Sequence, residues 1–187
     1  MSDWFDAAEH GNLNKIKKML HKNNSLLHSR SHDNETAIIK ASENGHLKIV
    51  KYLLKKGANV NDMDETTLRQ SPLILAAFEG HENVVKTLLR QGANIHYRNE
   101  MGDNALITSI QEGKINVTKI LLDNGANINQ PNNDDETPLT LATKYSGKGD
   151  TKMRDLLLSF KGGKRTTRKL KKTLNRFSRR NKYKHNL

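Results

Sequence analysis

The sequence predicts an all-α solenoid of about five stacked helix-turn-helix units with β-hairpin loops, plus a basic C-terminal tail. Three observations carry this expectation. A Gly-Ala-Asn mark recurs as Gly57-Ala58-Asn59-Val60-Asn61, Gly92-Ala93-Asn94-Ile95-His96 and Gly125-Ala126-Asn127-Ile128-Asn129, at spacings of 35 and 33 residues. Before each mark, apolar residues fall into short helical stripes that one unit cannot bury alone, so neighbouring units must cover one another. Charge is also segregated: residues 1–160 hold 20 basic and 20 acidic residues, whereas 161–187 hold 12 Lys/Arg and no Asp or Glu. The formal charge of +12 is thus entirely in the tail, and Gly162-Gly163 marks the boundary.

The first unit, about residues 2–33, opens with Trp4-Phe5-Asp6-Ala7-Ala8-Glu9-His10-Gly11 and continues with Leu13, Ile16, Met19 and Leu20. It is a helix pair with no hairpin before it and reads as an N-terminal cap. Units follow at about 34–68, 69–101 and 102–134. The first helix of a unit starts at a Thr or Ser cap, as near Thr36 and at Ser71-Pro72 and Thr137-Pro138, where Pro suits the first helical position. Gly45, Gly80 and Gly113 then end it in the left-handed conformation. The second helices carry Ile49, Val50, Leu53 and Leu54, then Val84, Val85, Leu88 and Leu89, then Val117, Ile120, Leu121 and Leu122. Each set makes one apolar stripe, closed by Gly57, Gly92 or Gly125. The last unit, about 135–160, begins at Thr137-Pro138-Leu139 and has about three extra residues in Ser146-Gly147-Lys148-Gly149-Asp150.

These residues resemble the ankyrin repeat, whose pattern runs T-P-L-H-x-A-A, G-H, V-x-L-L-L and G-A-D-V-N. The resemblance covers about residues 2–160. Two departures stand out. The family's His in T-P-L-H is replaced by Ile39, Ile74, Ile107 and Thr140, so the packing there should be more apolar. The hairpin between Val60 and Pro72 is two residues longer than its counterparts, and its tip around Met63 to Leu68 is expected to protrude.

Composition removes several function classes. With no Cys, disulfides, thiolate metal sites and cysteine nucleophiles are excluded. There is no P-loop, no G-x-S-x-G elbow and no dinucleotide fingerprint, so no enzyme, cofactor or small-molecule substrate is expected. His46 and His81 occupy the repeat's own G-H position rather than a metal site. No apolar run is long enough to span a bilayer, and Met1-Ser2-Asp3-Trp4 lacks the order of a signal peptide. An intracellular protein, cytoplasmic or nuclear and monomeric, is the expectation.

In the ankyrin family, partners usually contact the hairpin tips and the exposed side of the first helix. Carried over by alignment, this implies a protein-binding surface with carboxylates at Asp33, Glu35, Glu43, Glu79, Glu100, Asp103, Glu112, Asp134 and Glu136. The apolar anchors would be Leu68, Phe78, Met101 and Tyr145, placed where no core packing requires them. The twenty aligned positions include one cation, Lys144, so the resemblance implies an acidic concave face. The outward side of the second helices carries Lys48, Lys51, Lys55, Lys56, Lys86, Arg90 and Lys119 against Glu82 and Asp123, a basic back.

The tail, 161–187, is too charged and too poor in apolar residues to fold alone. Its open readings are nuclear import or nonspecific nucleic-acid contact through Lys164, Arg165, Arg168, Lys169, Lys171 and Lys172, a solvated extension, attachment to an anionic membrane or helix-binding partner, and autoinhibitory docking on the protein's own acidic face. With few aromatics, base-specific recognition is not expected. Its Gly162-Gly163-Lys164-Arg165 stretch is similar to basic tails on proteins of large DNA viruses.

Overall fold

A computed structural model describes residues 2–145 and 151–161. Among them are ten α-helices: α1 (Ser2–Glu9), α2 (Leu13–Lys22), α3 (Ala37–Glu43), α4 (Leu47–Lys55), α5 (Pro72–Glu79), α6 (Glu82–Arg90), α7 (Ala105–Gln111), α8 (Ile115–Asp123), α9 (Pro138–Tyr145) and α10 (Lys152–Lys161). A 3-10 turn, Asn24–His28, follows α2. The helices pair within units, and each unit packs on the next. The first helices α1, α3, α5, α7 and α9 form one layer; α2, α4, α6, α8 and α10 form the other.

The core lies between the layers and runs unbroken through the stack. It contains Trp4, Ile16 and Leu20 at one end, Ile49, Val50 and Leu53 and then Val84, Val85 and Leu88 in the middle, and Leu141, Met153 and Leu157 at the other end. Each fully buried Leu or Ile contributes about 1.5–3 kcal/mol by leaving water, while helices of 7–10 residues are too short to persist alone. Ile39, Ile74 and Ile107, standing at the family's His position, are 0%, 1% and 0% exposed, so the apolar packing expected there is present. Thr140 differs: it lies on α9, the last first-layer helix among the described residues, and it is exposed.

Helix ends follow the expected chemistry with one exception. Ser71 Oγ accepts from the Ile74 amide at 3.3 Å, Asn104 Oδ1 from Ile107 at 3.0 Å, and Thr137 Oγ1 from Thr140 at 3.3 Å. Thr36 occupies the cap position of α3, but its buried hydroxyl finds no partner.

No strand occurs among the described residues, so the hairpins lack a β-ladder. Each loop is closed by a backbone hydrogen bond from its first amide to its last carbonyl, Ser31 to Glu35, Asp64 to Gln70, Asn99 to Asp103 and Asn132 to Glu136 at 2.9–3.0 Å, with a second inside it, from Asn34 to Ser31, Arg69 to Thr66, Gly102 to Asn99 and Asp135 to Asn132 at 2.9–3.3 Å. In each, the first residue's side-chain oxygen also accepts from the closing residue's amide, through Ser31 Oγ, Asp64 Oδ1, Asn99 Oδ1 and Asn132 Oδ1. The residue before closure is left-handed every time, Asn34, Arg69, Gly102 or Asp135. The two extra residues of the second loop lie inside its closing bond. Its tip does not stand free, because the Leu68 carbonyl accepts from the Glu100 amide of the next loop at 3.0 Å. The third loop meets the fourth likewise, Asn133 N–H donating to the Met101 carbonyl at 3.1 Å.

Candidate functional site

Loops and first helices join into one surface because the closing residue of a loop reaches the outward side chain of the helix it precedes. Glu35 pairs with Lys40 at 2.6 Å, Asp103 accepts from Gln111 at 3.3 Å, and Glu136 pairs with Lys144 at 2.7 Å. Stacking of consecutive loop tips, through the Leu68–Glu100 and Met101–Asn133 backbone bonds, extends this surface along the solenoid.

Four of the expected anchors are open to solvent: Leu68 at 36%, Phe78 at 41%, Met101 at 49% and Tyr145 at 52% exposure. Among the described residues, the remaining exposed large apolar side chain is Leu158, on α10 of the other layer. Phe78 and Tyr145 stand near the C-terminal ends of α5 and α9, while Leu68 and Met101 are on consecutive loop tips. Lys144 lies over the Tyr145 ring at 5.7 Å from its centre, a cation–π contact that leaves the ring half-exposed.

The carboxylates divide into three groups. Asp33, Glu79, Glu100, Glu112 and Asp134 are exposed, with Asp33 near His32 and Glu100 paired to Arg69 at 3.8 Å. Glu35, Glu43 and Glu136 are half-buried and engaged with neighbours. Asp103 is a correction: expected at the surface, it is 5% exposed, and one of its oxygens is buried without a partner. Glu35 and Glu136 hold the same loop position, but their longer side chains reach out to Lys40 and Lys144, whereas the shorter Asp103 remains beneath the turn. Burial, with the charges of Asp134 and Glu136 adding to it, pushes the Asp103 carboxyl above the usual carboxylate range, outweighing the opposing influence of Asn132 and then of Gln111.

The acidic character is strongest around α1, α3 and α5. Burial, reinforced by the charge of Glu35, raises the Glu43 carboxyl, with Glu79 and Glu9 adding to it and Lys40 opposing. Lys40 bridges Glu35 at 2.6 Å and Glu9 at 3.7 Å. Burial pulls this ammonium down, yet the hydrogen bond and charge of Glu35, with the charge of Glu9, hold it above its ordinary value. Glu9 and Lys40 were missed by the alignment with the internal units. Glu9 belongs to the cap, although its place two residues before Gly11 matches that of Glu43 before Gly45 and was a usable signal. Cations also interleave at the loops: Arg30 pairs with Asp62 at 2.9 Å and Glu65 at 3.5 Å, and Arg98 donates to the Gly102 carbonyl and to Asn133. The acidity is therefore patchy rather than continuous.

His46 and His81 hold the stack together. His46 Nε2–H donates to the Glu9 carbonyl at 2.6 Å and His81 Nε2–H to the Glu43 carbonyl at 2.8 Å, each satisfying an orphan acceptor at the end of the preceding unit's first helix. Among the described residues, no group of three metal-ligating side chains occurs and no helix is long and apolar enough to cross a membrane. Lys164, Arg165, Arg168, Lys169, Lys171 and Lys172 lie outside the described residues, as do the extra turn at 146–150 and the boundary glycines.

The repeat geometry has a counterpart among known families. A model of ankyrin repeats, spanning three copies, matches residues 4–99 and again 73–169. With five helix pairs stacked in two layers and this match across most of the chain, the protein belongs to the ankyrin-repeat family, whose arrays are generally protein–protein interaction modules.

Proposed function

We propose that this protein is a non-enzymatic module that binds a protein partner through its first-layer helices and loop tips. The observation that carries this reading is the exposure of Leu68, Phe78, Met101 and Tyr145 on that side, among carboxylates including Glu79, Glu100, Glu112 and Asp134. An aromatic side chain left in water is a poor use of apolar surface unless a partner covers it, and such side chains dominate interface energies. The flanking carboxylates favour a partner with basic or polar groups around an apolar centre. Affinity purification with the wild type and with Phe78→Ala/Tyr145→Ala tests this. A partner captured by the former and lost by the latter, at unchanged thermal stability, supports the reading; equal capture sinks it.

The tail carries a second reading. Its 12 cations without a single carboxylate fit nuclear import or nonspecific phosphate contact, making the protein an adaptor that is localised at one end and binds its partner through the body. Masking of the acidic patches by the same tail is the competing arrangement. Neutralising Lys164, Arg165, Arg168, Lys169, Lys171 and Lys172 should disperse a nuclear-localised protein. Raised partner affinity at low salt would instead favour masking.

A further inference from the structure

The second-layer helices carry a surface that the proposed partner site does not use. Along α2 and α4 there is no acidic residue, while Lys15, Lys17, Lys18 and Lys22, then Lys48, Lys51 and Lys55, with Lys56 at the helix end, supply cations. On α6, Lys86 and Arg90 continue the array against Glu82 alone. Two ion pairs occur here, Lys15–Asp3 and Lys86–Glu82. Among the described residues, no carboxylate pairs with Lys17, Lys18, Lys22, Lys48, Lys51, Lys55, Lys56 or Arg90. The array fades at α8, where Lys119 is balanced by Asp123.

These cations are held rather than scattered. Lys17 of α2 and Lys56 of α4 converge on the Tyr52 ring at 5.9 and 5.7 Å from its centre, fixing two neighbouring helices' charges against one half-buried aromatic. Between α4 and α6 runs a groove of about 470 Å³ lined by Lys51, Leu54, Lys55, Thr87, Arg90 and Gln91. Packed helices stand about 8–10 Å apart, so the groove brings Lys51 and Lys55 from one side towards Arg90 from the other. Like charges gathered without counterions raise one another's energy, and a polyanion relieves this while releasing its own condensed cations.

We propose that the α2–α4–α6 face is a nonspecific contact surface for the phosphate backbone of duplex nucleic acid, with the Lys51/Lys55/Arg90 groove at its centre. The chemistry of the face selects this polyanion over others. Single-strand binders need exposed aromatic platforms for stacking, and the sole aromatic here, Tyr52, is half-buried under two ammoniums. Membrane-surface helices insert large apolar side chains, and none is exposed on α2, α4 or α6. Base readout would need groove-reaching donors and acceptors, so contact is with phosphates and independent of sequence. The proposal rests on residues of α2, α4 and α6 alone and not on those of the tail.

Fluorescence anisotropy with a labelled 20-base-pair DNA duplex tests it in the full chain, using a background in which all 12 Lys and Arg residues of 161–187 are replaced by Gln. This background is expected to retain salt-dependent duplex binding. Adding Lys51→Gln, Lys55→Gln and Arg90→Gln should weaken it at least about tenfold at 50 mM salt and flatten the log–log salt slope by about 0.9 for each lost phosphate contact. The melting temperature should not fall, since all three side chains are on the solvent side of their helices and their removal relieves like-charge repulsion. The proposal is overturned if the tail-neutralised chain does not bind duplex, or if the three further substitutions alter neither affinity nor slope. It is also overturned if a single strand of equal length or phosphatidylserine vesicles bind better than duplex.

Discussion

At Gly45 the backbone is left-handed, and the imidazole of His81 from the next unit lies directly over it. A Cβ added there would come within 2.6 Å of the ring. The Gly-His pair is therefore a unit-to-unit joint, since the ring that reaches over the glycine is the one that bonds the Glu43 carbonyl. Replacing Gly45 by Ala should cost about 2–4 kcal/mol, adding backbone strain to overpacking. Gly57→Ala, where nothing lies within 4 Å of the new methyl, should cost about 1–2 kcal/mol from strain alone. Urea denaturation of the two variants compares them directly, and equal losses would remove the joint. Asp103 gives a second residue-scale prediction. Its folded carboxyl is raised by burial, so the native state holds its proton more tightly than the unfolded chain does, and stability falls as pH rises between the ordinary carboxylate value and the raised one. Asp103→Asn removes that loss, so its melting temperature should exceed the wild type's at pH 7 and match it near pH 3. No difference at pH 7 would contradict the assignment. The glycines' role as helix stops was legible in the sequence, but their role as seats for a ring 36 residues on was not, because that contact crosses between units. The alignment likewise gave the register of Asp103 but not its depth, which one missing methylene relative to Glu35 and Glu136 decides.

Within elements, the fourth helix pair, α7 with α8, departs furthest from the internal pattern, and its departures compensate. Where other units have Ala41 and Ala76 facing Val50 and Val85, this one has Ser109 and Thr118, whose buried hydroxyls bond each other at 2.8 Å. The hydroxyl that accepts in this bond donates its own proton to a helix carbonyl, Ser109 to that of Leu106 or Thr118 to that of Lys114. A double-mutant cycle through Ser109→Ala and Thr118→Val should return a coupling of about 1 kcal/mol, with the double variant close to wild type in stability. Additive losses would show that the hydroxyls act separately. Lys114 replaces the joint histidine, and only its aliphatic stem covers Gly80. Lys114→His should restore the ring and raise the melting temperature, a gain of about 0.5–2 kcal/mol; a lower melting temperature would contradict it. Helix positions and ends could be read from apolar spacing and Gly, because both rest on local chemistry. The loops were less legible. Ser31, Asp64, Asn99 and Asn132 recur at 33, 35 and 33 residues, as regularly as the Gly-Ala-Asn mark, but their types differ. What unites them is an oxygen able to accept two loop amides, which residue identity conceals.

The whole molecule separates stability from recognition. Its core is an unbroken ribbon between two helix layers, so each unit depends on its neighbours, whereas the side chains on the two outer faces are free to serve partners without altering the fold. The first-layer side carries the exposed Leu68, Phe78, Met101 and Tyr145 with carboxylates and cations interleaved around them, and the second layer carries the lysines of α2 and α4. The exposure of those four apolar side chains was visible in the sequence once the repeat set the register, because exposure on a two-layer stack follows from helical phase. The interleaving of Arg30, Lys40, Arg69 and Arg98 on that side was not, since these cations reach it from positions that the family pattern does not single out. The most direct test of the account is calorimetric titration of the purified captured partner with the wild type and with Phe78→Ala/Tyr145→Ala. The account predicts a fall in affinity of about thirtyfold or more, on the order of 2 kcal/mol, with the melting temperature unchanged. Equal affinity for the two proteins would contradict it.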